Sequence, residues 1–320
     1  MALTKVDERM LPDPIGGSRN ALINGDGAIN QRSALYTTVA DDTYWCDRHY
    51  VLAQTAAITP TILSDVANGI PSMMRLSQSQ AVAQRMGNAQ ILESSISRAL
   101  RGKLVTLGGK LRCSSSQPIR FAVLEWTGTA DAPVSDAVNN WASADFTAGN
   151  FFNSTTLNVL AVGTITPAAN TITPWTLTAT VGANATNLIV LYWTEGTAAQ
   201  NVTLDMRWFL AEGDATDEDD AFGLRHIAQE LALCQRYYQL RSAGNTISAT
   251  GAGQYVSADF HTCVEMRAVP TAAQSNESAP SNVSAVTIAA LSARGGQAYC
   301  TSSGAGAAVF RIIVRLSAEL

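Results

Sequence analysis

Side chains able to do chemistry are sparse in this chain, and their spacing limits their use. His49, His226 and His261 are far apart, and fall in a predicted strand, a predicted helix and another predicted strand. No spacing groups them as metal ligands or sets one beside a nucleophile, so isolated structural roles are expected. The five cysteines (Cys46, Cys113, Cys234, Cys263 and Cys300) are odd in number and never form a C-x-x-C pair. That argues against a disulfide framework or a zinc site, and small buried apolar residues are the expected role. Asp41 and Asp42 supply the two carboxylates that glycan hydrolysis needs. Adjacent strand residues point to opposite faces, so the pair reads as decoration of a turn. Asp217, Glu218, Asp219 and Asp220 could bind a metal, but they precede a helical pattern and suit the positive end of its dipole. The sequence has no G-x-S-x-G turn, no G-x-x-x-x-G-K-[ST] phosphate loop and no H-E-x-x-H helix. No catalytic site, metal or cofactor is expected.

Residues 128–156 do have binding chemistry. Trp141, Phe146, Phe151 and Phe152 stand there among Asp, Asn and Ser. A loop of this length inside a compact domain is usually functional or a small subdomain. Aromatic faces cover apolar C–H surface, and amides both donate and accept hydrogen bonds to hydroxyls. Trp141, Phe151, Phe152, Asn139, Asn140 and Asn150 are therefore the candidate ligand-binding residues. Two other readings use the same aromatics: a subunit contact, or a small core of the loop's own.

The elements that must position these residues are mostly strands. Residues 119–126 alternate, with Ile119, Phe121 and Val123 on one face. Residues 188–193 are apolar on both faces, as in a strand buried between layers. In 203–210, Leu204, Met206, Trp208 and Leu210 point one way, and Asp205 and Arg207 the other. Near the C-terminus, Val256, Ala258, Phe260, Thr262 and Val264 alternate with Tyr255, Ser257, Asp259 and His261. Phe310, Ile312, Val314 and Leu316 then oppose Arg311 and Arg315, and the Ser/Asn/Pro-rich stretch 272–282 reads as soft. Between the two strand-rich parts, Ile227, Leu231, Cys234 and Tyr238 recur at helical steps. The first three are candidate assembly contacts on a buried stripe. Residues 1–19 carry Pro12, Pro14, Gly16 and Gly17, which break regular structure, and read as an arm.

The chain has 320 residues, of which 47% are hydrophobic and only 15% charged, with a net charge of -5. A core of good size is possible, and a nucleic-acid partner is disfavoured because phosphate binding needs concentrated basic surface. The longest strongly apolar run, 188–193, is far too short to span a bilayer. The first ten residues include Lys5, Asp7, Glu8 and Arg9 rather than an apolar signal region, so folding in a cytoplasm is expected.

Four landmarks carry a family resemblance. Residues 20–32 read NALINGDGAINQR, close to N-x-L-I-N-G-D-x-x-[IV]-x-Q-R. Tyr36 or Tyr44 and the pair Asp47-Arg48 follow, with His49 standing where the pattern has Trp. Residues 100–112 (LRGKLVTLGGKLR) look like a strand-turn-strand segment, 206–216 (MRWFLAEGDAT) like a closing strand, and 230–239 (ELALCQRYYQ) like the segment after it. In this order they resemble bacteriophage tail-fibre and virion appendage proteins; the last eighty residues match only loosely. The resemblance implies a mainly β protein: a galactose-binding-like jelly-roll sandwich over 20–216, a connecting helix over 217–241 and a smaller β domain over 242–320. It further implies a homotrimer located in the virion and assembled in the host cytoplasm, and the charged, Pro/Gly-broken arm 1–19 is expected to attach it to other virion proteins. Members bind host-surface glycans or serve as architecture, so a bacterial surface polysaccharide is the expected partner. A decoration protein, adaptor or fibre connector is the alternative. A glycan-degrading tail enzyme ranks third, since no internal repeat builds the β-helix of many phage depolymerases. Jelly rolls of this kind can hold a structural calcium, but no oxygen-ligand cluster identifies one here.

Overall fold

The computed structural model describes residues 20–32, 37–134, 136–154, 156–215 and 225–320. The arm 1–19, Tyr36 and the acidic run 217–220 lie outside the described residues. The chain divides into two compact units, the first ending at Ile227 and the second covering Ala228–Glu319.

The first unit is a two-sheet sandwich of antiparallel strands. One sheet has the order β1-β2-β5-β10-β7-β8, built from Thr43–Cys46, His49–Ala53, Met86–Leu92, Asn187–Thr194, Ile119–Trp126 and Leu157–Ile165. The other runs β3-β4-β11-β6-β9, from Thr59–Asp65, Ile70–Ser77, Thr203–Glu212, Leu104–Cys113 and Thr173–Thr180. Side chains from both sheets form one core that includes Phe121, Val123, Trp175, Leu188, Val190, Tyr192, Leu204, Met206, Trp208 and Leu210. The jelly-roll expectation matches this layout, and the reason lies in the alternation. β10 buries both faces, sending Leu188, Val190 and Tyr192 into the inter-sheet core and Ile189, Leu191 and Trp193 into a second core. Strands covered on both sides read as unbroken apolar runs.

One local expectation needs correction. Residues 100–112 are not strand-turn-strand: Gly108 and Gly109 sit inside β6, paired with Phe209 and Trp208. A Cβ on Gly108 would lie 2.7 Å from the Phe209 ring, and one on Gly109 would lie 2.1 Å from the Arg207 carbonyl oxygen. The glycines serve close packing rather than a turn. Asp205 faces away from the inter-sheet core yet is only 1% exposed. Arg75 holds both its oxygens at 2.6 and 2.9 Å, and Arg112 reaches one of them at 2.8 Å while also binding Asp65. Charge pairing, not water, satisfies that carboxylate.

The second unit opens within α2, Ile227–Gln235. Two three-stranded antiparallel sheets follow, β12-β17-β14 (Tyr238–Ala249, Gly306–Ser317, Thr271–Asn276) and β13-β16-β15 (Tyr255–His261, Gly295–Thr301, Thr287–Ser292). Val256, Phe260, Ala298, Cys300, Phe310, Ile312, Val314 and Leu316 share one core. β12 begins inside the stretch read as linker. The soft stretch at 272–282 also needs correction, because Thr271–Asn276 pairs residue for residue with β17. Backbone hydrogen bonds make that edge strand without help from an apolar pattern.

Of the helical stripe, Cys234 is buried, Leu231 is half-buried and Ile227 is 54% exposed. Burial of Ile227 is thus corrected: it opens the helix, and the apolar contacts begin further along. All five cysteines are free thiols, four buried as expected, while Cys263 is exposed.

Candidate functional site

The landmark at residues 20–32 folds into a buried polar node that joins the two sheets. Asn24 adopts a left-handed backbone (φ 61), which Asn tolerates better than most residues. Gly25 follows because its Cβ would lie 2.2 Å from the Trp208 carbonyl oxygen, where the Trp208 N–H donates to the Gly25 carbonyl at 3.0 Å. Asn20 accepts from the backbone of Leu22 and Leu210, tying the segment to β11. Gln90 of β5 grips Ile23 from the other sheet, donating to its carbonyl and accepting from its N–H. The Asn24 amide donates to the carbonyls of Ile29 and Asp47, and the Asp47 carboxylate accepts from the backbone and side chain of Gln31.

His49 completes this node in place of the tryptophan of the family pattern. Its Nε2 lies 2.8 Å from the Asn24 carbonyl and its Nδ1 lies 3.2 Å from the Asn88 amide, so a neutral ring donates at one end and accepts at the other. The Asn88 oxygen accepts from the Trp45 indole. Burial, with the Arg48 charge adding, lowers the His49 pKa to about 3. The ring is sealed and neutral, which suits holding the fold rather than moving protons.

Asp41 and Asp42 lie in the turn before β1. Asp41 Oδ1 accepts the Ala53 N–H at 2.7 Å. Its carboxyl is held above the usual range by desolvation, with Asp136 and Asp42 adding repulsion. Asp136 was not anticipated beside this turn. Among the described residues no group of three or more His, Cys, Asp or Glu side chains is placed to hold a metal ion. No helix among them is long and apolar enough to cross a membrane.

The loop between β7 and β8 covers the outward face of the six-stranded sheet. Phe151 and Phe152 are 1% and 0% exposed. They close on Trp193 of β10, with ring centroids 5.0 and 5.9 Å away, and Phe146 and Trp141 pack on Phe151 at 5.1 and 6.0 Å. Asp131, itself left-handed at φ 59, pins the loop's start. It accepts from Ser94 at the head of the short helix α1 (Ser94–Ala99) and from Asn187 of β10. Phe151 and Phe152 are therefore withdrawn as ligand contacts, because the aromatic content of the loop builds the second core. Trp141 stays half-buried, and Asn139, Asn140 and Asn150 stay exposed. All three amides bond within the loop: Asn139 donates to the carbonyls of Gly149 and Asn150, Asn150 donates to Asp145 and Thr147, and Asn140 Oδ1 accepts the Ala142 N–H at 3.0 Å. What remains is a firm rim carrying Trp141 and Asn140, with Arg120 over the Phe146 ring at 4.3 Å.

Among the described residues, the most exposed aromatic lies in the second unit, at a place where no site was expected. Tyr255 is 54% exposed and stacks on Tyr299, centroids 5.2 Å apart and planes 26° inclined. Alternation over 255–261 had assigned Tyr255 to the face opposite the core, but Tyr299 sits on another strand and was invisible without the pairing.

No family model matches the chain, and no curated protein matches it. Solved structures give shallow likenesses. The enzymatically active domain of bacteriophage CBA120 tailspike protein 4 matches over 61% of this chain and 21% of its own, at 13% identity and TM-score 0.36. TmCBM61, solved with β-1,4-galactotriose, matches over 61% of this chain and all of its own at 9% identity and TM-score 0.36. The C-terminal family 22 carbohydrate binding module of Clostridium thermocellum Xyn10B matches over 59% and 99% at 11% identity and TM-score 0.34. At such identities and scores no residue role passes to this chain.

Proposed function

We propose that this protein is a phage particle appendage, a tail fibre or head fibre, that attaches to a bacterial surface polysaccharide without cleaving it. One observation carries the reading: a polar rim with Trp141 and Asn140 is mounted on a buried aromatic plug, so its shape is fixed before any ligand arrives. Preorganisation of that kind lowers the ordering cost of binding. The landmark resemblance at residues 20–49 supports the particle context. A homotrimer would multiply weak single-site contacts by avidity, and the arm 1–19 would attach it to other virion proteins. Labelled protein should mark host cells and not non-host cells, Trp141→Ala should reduce the signal, and the polysaccharide should keep its length on a sizing column. Released oligosaccharides would sink the non-cleaving part. Light scattering that finds only monomer at micromolar concentration would remove the trimer.

A second reading, a purely architectural virion protein, is favoured by the loop amides and phenyl rings that the loop spends on itself. Protein that incorporates into particles but marks no host surface would decide for it. Deleting 1–19 should block incorporation under either reading.

A further inference from the structure

We propose that the outward face of the β13-β16-β15 sheet is a second binding strip, built for a neutral polyhydroxylated chain such as a hexose polymer. It shares only the ligand class with the reading above and stands on different residues. Val256 and Phe260 of β13 and Ala298 and Cys300 of β16 point into the core. Strand alternation therefore sends Tyr255, Ser257, Asp259 and His261 outward, beside Gln297, Tyr299 and Thr301. Register sets these side chains together, with Tyr255 opposite Thr301, Ser257 opposite Tyr299 and Asp259 opposite Gln297. β15 adds Thr287 opposite Tyr299 and Ala289 opposite Gln297.

The polar heads are already ordered. The Tyr255 hydroxyl donates to Gln297 Oε1 at 2.9 Å, and Gln297 Nε2 donates to Asp259 Oδ1 at 3.0 Å. The tyrosines, stacked ring against ring, leave an outer ring face and ring edges beside a fixed run of phenol, amide and carboxylate. Flat aromatic area beside donors and acceptors held in line complements a pyranose chain, which offers C–H faces and ringed hydroxyls. Gly295, facing His261, leaves the strip's end low. It has φ 142, and a Cβ there would lie 2.1 Å from the Phe260 carbonyl oxygen. Charge selects among ligands. The three strands, YVSADFH, TIAALS and GGQAYCT, contain no lysine or arginine, and Asp259 would repel an anionic polymer. Phosphate-rich or uronic-acid chains are therefore disfavoured, and a neutral chain is the occupant that fits.

The test is affinity electrophoresis of the full chain through gels holding laminarin, xylan, galactan or mannan, with alginate as the anionic control. Wild type should be retarded by at least one neutral polymer and not by alginate. Tyr255→Ala and Tyr299→Ala should each weaken that retardation about tenfold, the loss of a stacked ring, while Tyr255→Phe keeps part of it. Unchanged thermal melts would exclude misfolding of these surface variants. Trp141→Ala should leave this retardation intact, so the two sites fail separately: host-cell marking lost only in Trp141→Ala supports the loop and not the strip. Retardation that survives both tyrosine variants, absence of retardation in every neutral gel, or retardation by alginate alone would overturn the proposal. A change of oligomeric state in Tyr299→Ala would also overturn it, by making the face a contact between copies.

Discussion

Phe151→Ala tests whether the loop is held by its aromatic plug. Phe151 is 1% exposed and lies against Trp193, Phe152, Phe146 and Trp141, with centroid distances of 5.0, 4.9, 5.1 and 6.0 Å. Truncating such a ring costs about 3–5 kcal/mol in transfer and cavity terms. The hydrogen bonds that the Phe151 backbone makes with Asn139 and Asp145 survive the change, so the loss falls on packing. If the loop and sandwich unfold together, the melting temperature of this unit falls by about 6–20 °C, at 2–4 °C per kcal/mol for a unit of this size. If the loop opens alone, amide exchange across 137–152 accelerates by about two to four decades while the melt barely moves. Calorimetry and exchange on the same variant separate the two, and Phe151→Leu should restore most of the loss. A variant with neither a lower melt nor faster exchange would refute the plug, and with it the fixed rim on which the attachment reading rests.

Acid should reveal the His49 node. Its folded pKa of about 3 lies below the unfolded value of 6.5, so the unfolded chain binds the proton first. Stability is full above pH 6.5 and declines as pH falls toward 3; His49→Gln should flatten that limb in pH-resolved urea unfolding. Asp205→Ala leaves Arg75 and Arg112 without their shared carboxylate and should cost about 3–5 kcal/mol, read by the same unfolding assay. Asp205→Asn should cost less, because an amide oxygen still accepts. Ile227→Asp should leave the monomer's circular dichroism unchanged yet weaken a trimer in light scattering, since this exposed apolar side chain is available for an assembly contact.

Strand faces were legible because burial imprints a period of two. The runs at 119–126, 188–193 and 203–210 and the final strand each fell where alternation put them. Misreadings arose where backbone or charge pairing replaced apolar pattern. Gly108 and Gly109 imitate a turn in sequence, yet they are required beneath Phe209 and beside Arg207 in mid-strand. Thr271–Asn276 looks soft because β17 supplies its partners. Alternation placed Asp205 opposite the core, but nothing local announces the two arginines from other strands that pair with it. The loop aromatics were correctly singled out, but composition alone could not say whether their faces would meet a ligand or one another. Tyr299 was missed for a related reason: a site assembled across strands has no local spacing.

These cases bear on where recognition chemistry can reside in such a fold. The most recognisable stretch of sequence, residues 20–49, commits Asn20, Asn24, Asp47 and His49 to joining two sheets in a sealed interior. Buried polar groups are costly unless fully satisfied, so little freedom is left there to vary the residues toward a ligand. The outward face of the β13-β16-β15 sheet carries no such obligation, because its side chains can change while the alternating inward residues keep the core. Tyr255 points away from the core that holds Val256. A fold arranged this way can hold its frame constant while the residues of an outward face change.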